Sequence, residues 1–205
     1  MAKTARAGNG ITEGVIWKQL LAFFFPILLG TFFQQLYNTA DAIIVGNFVG
    51  KEALASVGGS ASTIINLLVG FFVGLSSGAT VIISQYYGAD NRRRVSDSVH
   101  TAIALAIAGG IVIMLLGLVS ARFALTAMGT PDDILSLSLT YMKIYYLGTI
   151  PSMIYNMGSG ILRALGDSKR PLLFLVVCTI VNTILDLFFV AVLKLEVAGA
   201  AIATS

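Results

Sequence analysis

Long uncharged apolar runs constrain this chain more than any other feature. Gln19–Phe48 carries one charged residue, Asp41, and Pro171–Leu193 carries one, Asp186. A helix of about 20 apolar residues crosses the hydrocarbon of a bilayer. In lipid every backbone N–H and C=O must find a partner within the chain, and runs that are continuous rather than alternating satisfy this as helices. A carboxylate near the bilayer core costs about 2.5–3.5 kcal/mol on insertion scales. A chain that keeps two of them is expected to use them to hold a proton or a metal cation.

The rest of the composition agrees with a membrane protein. The chain is 57% hydrophobic and 11% charged, with a mean hydropathy of +0.88, where a soluble domain carries about a quarter charged residues. The net charge of +3 resides in the loops and does not signal nucleic acid as a partner. The single Cys178 lies mid-span and excludes an internal disulfide. Lys3 and Arg6 precede the first apolar run, but that run is too long for a signal-peptide core and lacks a small-residue cleavage site.

Hydropathy places five complete spans at roughly 15–45, 54–87, 95–119, 134–163 and 171–193, with a sixth opening near Val197. The first, second and fourth exceed one bilayer crossing and must tilt, bend or protrude, with Pro26 and Pro151 as the natural bend points. One set of termini and loops holds Lys3, Arg6, Lys18, Arg92, Arg93, Arg94, Arg163, Lys169 and Arg170, against Lys51, Arg122 and Lys194 on the other side. That bias predicts a cytoplasmic amino terminus in a multi-pass protein of the inner (plasma) membrane. The sequence stops at Ala201–Ser205, inside an apolar segment, so residues 1–205 are expected to be one transmembrane lobe of a longer protein.

Polar residues inside the spans fall into faces. Gln34, Asn38 and Asp41 are spaced i, i+4, i+7, with Tyr37 one turn before Asp41, while Asn182 and Asp186 are i, i+4 in the fifth span. At about 1.5 Å per residue, Asp41, Asp186 and Thr204 lie roughly 8–11 Å below the outer surface. Two carboxylates, an amide and a hydroxyl at one depth suit a hard cation such as Na⁺, and paired carboxylates equally suit a proton. Ser62, Asn66, Gly70, Gly74 and Gly78 recur every fourth residue and predict a small-residue face for close helix packing, with Asn66 as a pore-lining exception. In the fourth span Tyr141 and Asn156 are positioned to face the aspartates or a cavity, whereas Lys143 has a stem long enough to reach the interface. Trp17 reads as an interfacial anchor and His100 as interfacial. Arg92–Arg94 read as a topology signal that touches anionic lipid.

Three segments together resemble one family. Residues 155–171 read Tyr-Asn-Met-Gly-Ser-Gly-Ile-Leu-Arg-Ala-Leu-Gly-Asp-Ser-Lys-Arg-Pro. Residues 41–46 read Asp-Ala-Ile-Ile-Val-Gly and are followed by Ala-Leu-Ala-Ser-Val-Gly at 53–58, and residues 84–89 read Ser-Gln-Tyr-Tyr-Gly-Ala. From about Leu20 onward the chain resembles the multidrug and toxic compound extrusion (MATE) transporters, in their DinF-like prokaryotic branch. The resemblance implies an all-α membrane protein of twelve helices in two six-helix lobes. This chain would supply most of the amino-terminal lobe, five full spans and the start of a sixth, without the carboxyl-terminal lobe. It implies a secondary active transporter, not an enzyme, that exports small organic, often cationic compounds against inward H⁺ or Na⁺, with no cofactor beyond that coupling ion. It places the cation site at Asp41, Asn182, Asp186 and Thr204, with Tyr37, Tyr141 and Asn156 at neighbouring polar positions, and a bend of the first helix at Pro26.

Two other functions remain as alternatives. A flippase for lipid-linked saccharides, related in helix layout, would line its cavity with several bases, and Lys143 is the lone candidate. An intramembrane aspartyl protease would show Tyr-Asp and Gly-x-Gly-Asp motifs, but Asp41 follows Ala40, and Ala164-Leu165-Gly166-Asp167 lacks the first glycine and lies in a basic loop.

Overall fold

The computed structural model describes residues 15–204 and contains helices without strands among them. Lys3, Arg6 and Ser205 lie outside the described residues. Eight α-helices follow in order: α1 (Ile16–Phe48), α2 (Lys51–Gly58), α3 (Ser60–Gly88), α4 (Arg92–Ala127), α5 (Asp132–Leu147), α6 (Thr149–Ala164), α7 (Lys169–Asp186) and α8 (Glu196–Thr204), with a π-helical segment Leu187–Val192 between α7 and α8. By length and composition, Ile16–Phe48, Lys51–Gly88, Arg92–Ala127 and Lys169–Val192 can each cross a bilayer.

Helices cover all the expected spans, but the fourth (134–163) is not among the segments long enough to cross unbroken, and there are breaks that the hydropathy did not show. The second divides at Gly59, whose backbone leaves helical geometry (ψ −130°) and whose pro-Cβ position lies 2.7 Å from Ala55 O, a place no side chain can occupy. The third continues to Ala127, eight residues past its expected end, because Ala121 and Leu125 are fully buried and draw the helix on. The fourth is interrupted at Gly148 rather than at Pro151, giving two 16-residue helices. Pro151 sits in the first turn of α6, where a missing N–H forfeits no intrahelical bond. Pro26 stands inside α1, which stays helical through it. At the start of α7, Asp167 Oδ1 accepts from the N–H groups of Lys169 and Arg170 at 3.1 Å, and its other oxygen meets Arg170 Nε at 3.1 Å. Such a side-chain cap satisfies the orphan donors of a helix amino terminus.

Two buried clusters hold the bundle together. One joins Phe72 and Ile83 of α3, Ala102 and Ala106 of α4, and Met153 and Met157 of α6. The other gathers Val45, Ala53, Ala61, Leu125, Met142, Val190 and Ala200 around the opposite end. Close approach between helices is made by small residues, as expected where lipid offers no hydrophobic drive between them. The residues that do this differ from the expected set. Gly70, Gly74 and Gly78 have open space where a Cβ would stand, so the small face of α3 is not a packing face among the described residues. Instead Gly110 of α4 approaches the Ile150 backbone (3.2 Å from a Cβ position), Gly117 receives the ring of Tyr146, and Gly160 of α6 receives Ser76 and Thr80 of α3. Ser76 Oγ donates to Asn156 O across that contact at 2.7 Å.

Because a Cβ at Gly117 would overlap the Tyr146 ring, Gly117→Leu should lower stability by about 1–3 kcal/mol or more, the usual cost of overpacking. Gly70→Leu, built into open space, should leave it unchanged. Thermal unfolding of the detergent-solubilised protein checks the pair, and equal midpoints for the two variants would contradict this packing.

Candidate functional site

The site forms where α1, α5, α7 and α8 meet. α1 packs along α7, and α8 folds back onto α5, α7 and α1. Asp41 sits two turns from the carboxyl end of α1 and is 7% exposed, Asn182 on α7 is 7% exposed, and Asp186, the last residue of α7, is 0% exposed. Burial on these faces follows from sequence spacing. Asn182 and Asp186 are one turn apart, so a single contact face of α7 covers both.

What the buried groups lack is informative. Among the described residues, six buried side-chain polar atoms have no hydrogen-bond partner. Five of them are Asp41 Oδ1, Asn182 Nδ2, Asp186 Oδ1, Asp186 Oδ2 and Thr204 Oγ1; the sixth, Thr130 Oγ1, lies in the α4–α5 loop. Buried polar atoms are nearly always paired, and each orphan costs about 1–3 kcal/mol. Their concentration in four residues therefore marks a place arranged for something other than internal hydrogen bonding.

The four side chains belong to one electrostatic neighbourhood. Asp41 acts on Asp186 through space, and Thr204 lies beside both Asp41 and Tyr37. Tyr141, 5% exposed, lies within range of Asp41, Asp186, Tyr37 and Tyr145. The rings of Tyr141 and Tyr145 stack with centroids 6.5 Å apart and planes at 30°. Two acids, an amide, a hydroxyl and a wall of phenols form one oxygen-rich cluster, on whose acids no base acts among the described residues. No group of three or more His, Cys, Asp or Glu stands together among the described residues, so the oxygen-rich set matches a hard monovalent cation or a proton rather than a transition metal.

Other expected members lie elsewhere. Gln34 and Asn38 share the helical face of Asp41 but are exposed, and Asn38 Nδ2 donates to Gln35 Oε1 at 3.3 Å. Asn156 belongs to the α3–α6 contact: its amide donates to Ser152 O at 2.8 Å, and it makes no hydrogen bond to the aspartates. Asn66 and Lys143 are exposed. Trp17 is 59% exposed, with Lys18 Nζ 5.6 Å above its ring, and His100 Nδ1 is 2.8 Å from Ser96 O, both on exposed helix ends. Pro26 is buried within α1.

Two features of the site escaped the sequence reading. Tyr145 joins the phenol wall, and its i, i+4 spacing from Tyr141 was the available signal. The π-helical segment begins directly after Asp186, and Gly199 of α8 packs so tightly there that a Cβ would lie 3.0 Å from Phe189 Cβ. Single-turn π insertions gather at functional sites, but no residue pattern announces them.

Known proteins share this architecture. The MatE family model matches residues 26–188. The probable multidrug resistance protein YpnP of Bacillus subtilis (strain 168) is 33% identical over 193 residues, covering 94% of this chain and 43% of YpnP. The chain thus spans less than half the length of that relative. Among solved structures, a MATE protein in its straight conformation superposes with a TM-score of 0.89 at 29% identity, over 98% of this chain and 44% of that one. The bent conformation gives 0.88 at 28% identity over the same shares. A family model that runs from Pro26 within α1 to the start of the π-helical segment, over a bundle that superposes this closely, leaves one assignment: the chain belongs to the MatE family of multi-pass membrane transporters.

Proposed function

We propose that this chain is the amino-terminal lobe of a cation-coupled multidrug efflux antiporter, and that Asp41, Asn182, Asp186 and Thr204 form the site for the coupling ion, H⁺ or Na⁺. The observation that carries this is the gathering of five partnerless buried polar atoms in those four side chains. Two buried carboxylates with no base beside them are costly when both are ionised. A proton or a Na⁺ removes that cost, so ion binding favours the state in which the chamber is closed around them. A state in which the acids meet water is favoured when the ion leaves. Alternating access needs no more than this difference in ion affinity between two states.

The moving part is α1. Pro26 has no N–H to give to Ala22 O, so the helix is weakened about 33 Å from its carboxyl end at 1.5 Å per residue, and α1 carries both Pro26 and Asp41. The similar protein solved in straight and bent conformations supports a bending element in this fold. Ion loading at Asp41 and bending at Pro26 then act on one helix, and the bend displaces substrate from the lobe. The exported molecules are small organic compounds, often cationic. Gln34 and Asn38, exposed on the same helix, offer them neutral hydrogen-bonding groups.

Asp41→Asn in the full-length protein should insert in the membrane normally and lose coupled efflux of a cationic dye by at least tenfold. Dye export at the unaltered rate by that variant would refute the assignment. In vesicles with a Na⁺ gradient and a pH gradient imposed separately, one of the two should drive dye movement, and Asp186→Asn should remove the response to that gradient. Transport driven by neither would leave the coupling proposal without support.

A further inference from the structure

A cavity lies on helices that carry neither Asp41 nor Asp186. It is a groove of about 580 Å³ between α3 and α4, open along one side. Its floor is apolar, formed by Gly74, Gly78 and Ile82 of α3 and by Ala102 and Leu105 of α4. The positions a Cβ would take on Gly74 and Gly78 are empty, so the two glycines keep the groove open. Its polar end is built by Tyr86, Arg94 and Asp97.

The groove has the length of one leaflet. From Gly74 to Tyr86 is twelve residues, about 18 Å of helix at 1.5 Å per residue. Half of a hydrocarbon core of about 30 Å is about 15 Å. The polar end is the one that carries Arg92, Arg93 and Arg94, where the chain emerges from the apolar run of α3. The groove therefore starts at a membrane surface and ends near the bilayer centre.

The charges at its mouth are both available. The Arg94 guanidinium lies 5.4 Å over the Tyr86 ring, and Nη1 reaches Tyr86 Oη at 3.4 Å, which fixes its plane and leaves its other N–H groups free. Neither Arg94 nor Asp97 has an ion-pair partner among the described residues, although they are i, i+3 on one helix and line the same cavity. A cation and an anion kept apart at the same mouth complement a zwitterion rather than a simple anion. A guanidinium binds a phosphate through paired N–H groups, and a carboxylate one helical turn away accepts from a primary ammonium.

We propose that this groove binds a phospholipid of the leaflet at the arginine-bearing end, and that the lipid is phosphatidylethanolamine. One acyl chain lies over Gly74 and Gly78, the phosphate meets Arg94, and the ammonium meets Asp97. Phosphatidylcholine has the same phosphate but no N–H to donate, and phosphatidylglycerol has no cation at all. The site is independent of the ion chamber: its residues lie on α3 and α4, and the chamber is built by α1, α5, α7 and α8.

The test is photo-crosslinking in the full-length protein, with benzoylphenylalanine in place of Ile82, a side chain 51% exposed in the groove. In vesicles of equal parts phosphatidylethanolamine, phosphatidylcholine and phosphatidylglycerol, the adduct mass should be that of phosphatidylethanolamine in at least fivefold excess. Asp97→Asn should remove the preference over phosphatidylcholine. Gly78→Leu should cut total lipid adduct several-fold, with the unfolding midpoint in detergent unchanged because that position meets open space. Crosslinks to protein, whether a second copy or the rest of the chain, would show that a helix fills the groove and would overturn the proposal. Lipid adducts in proportion to the vesicle composition would overturn it as well.

Discussion

Two carboxylates that have been taken out of water, with three of their four oxygens buried and unpaired, set the terms for everything else in this lobe. Asp186 is fully buried with both oxygens unpaired, and Asp41 keeps one oxygen unpaired at 7% exposure. Placing such groups in a membrane costs several kcal/mol, and among the described residues no arginine, lysine or histidine acts on them to offset it. The cost is sustained because the surrounding packing is strong. Leu125, Met142, Val197 and Ala200 are fully or almost fully buried around the same end of the bundle. A well-packed shell with an unsatisfied centre is the arrangement expected when an external ion completes the structure in only one of two states.

The helices around this centre are irregular in the places that matter. α1 contains Pro26, α5 and α6 separate at Gly148 seven residues after Tyr141, and α7 turns into a π-helical segment directly after Asp186. Each irregularity frees a backbone group or widens a turn, and each lies on an element that contributes to or adjoins the chamber. α3 and α4, which contribute nothing to it, run as long helices of 29 and 36 residues. The lobe thus divides into a regular pair that supplies the frame and a broken set that carries the buried acids.

Much of this was legible in the residues. The long apolar helices and the shared face that buries Asn182 and Asp186 follow from hydropathy and from helix geometry alone. Thr204 lies beside Asp41, although the two are far apart in the chain. The sequence was less informative where tertiary contact overrides local pattern. Gly74 and Gly78 have the spacing of a packing face and yet line an open groove, while Gly117 and Gly160, which no periodicity singled out, make the closest helix approaches. Spacing states which residues share a face and is silent on whether a neighbour covers it. Gln34 and Asn38 illustrate the same limit: they share the stripe of Asp41, yet they are exposed while Asp41 is buried. The break at Gly148 was displaced from Pro151 for a different reason, since a proline in a first helical turn has no bond to break.

The central claim is that Asp41 and Asp186 share one ion-loadable chamber, and labelling of buried acids by a hydrophobic carbodiimide tests it most directly. The reagent attacks protonated carboxyls within membranes, and peptide mass spectrometry reads each aspartate separately. If the two acids share an ion, Na⁺ or a rise in pH should protect Asp41, and Asp186→Asn should alter that protection by an order of magnitude while leaving the fold intact. Labelling of Asp41 that is indifferent to cation, pH and the identity of residue 186 would contradict it.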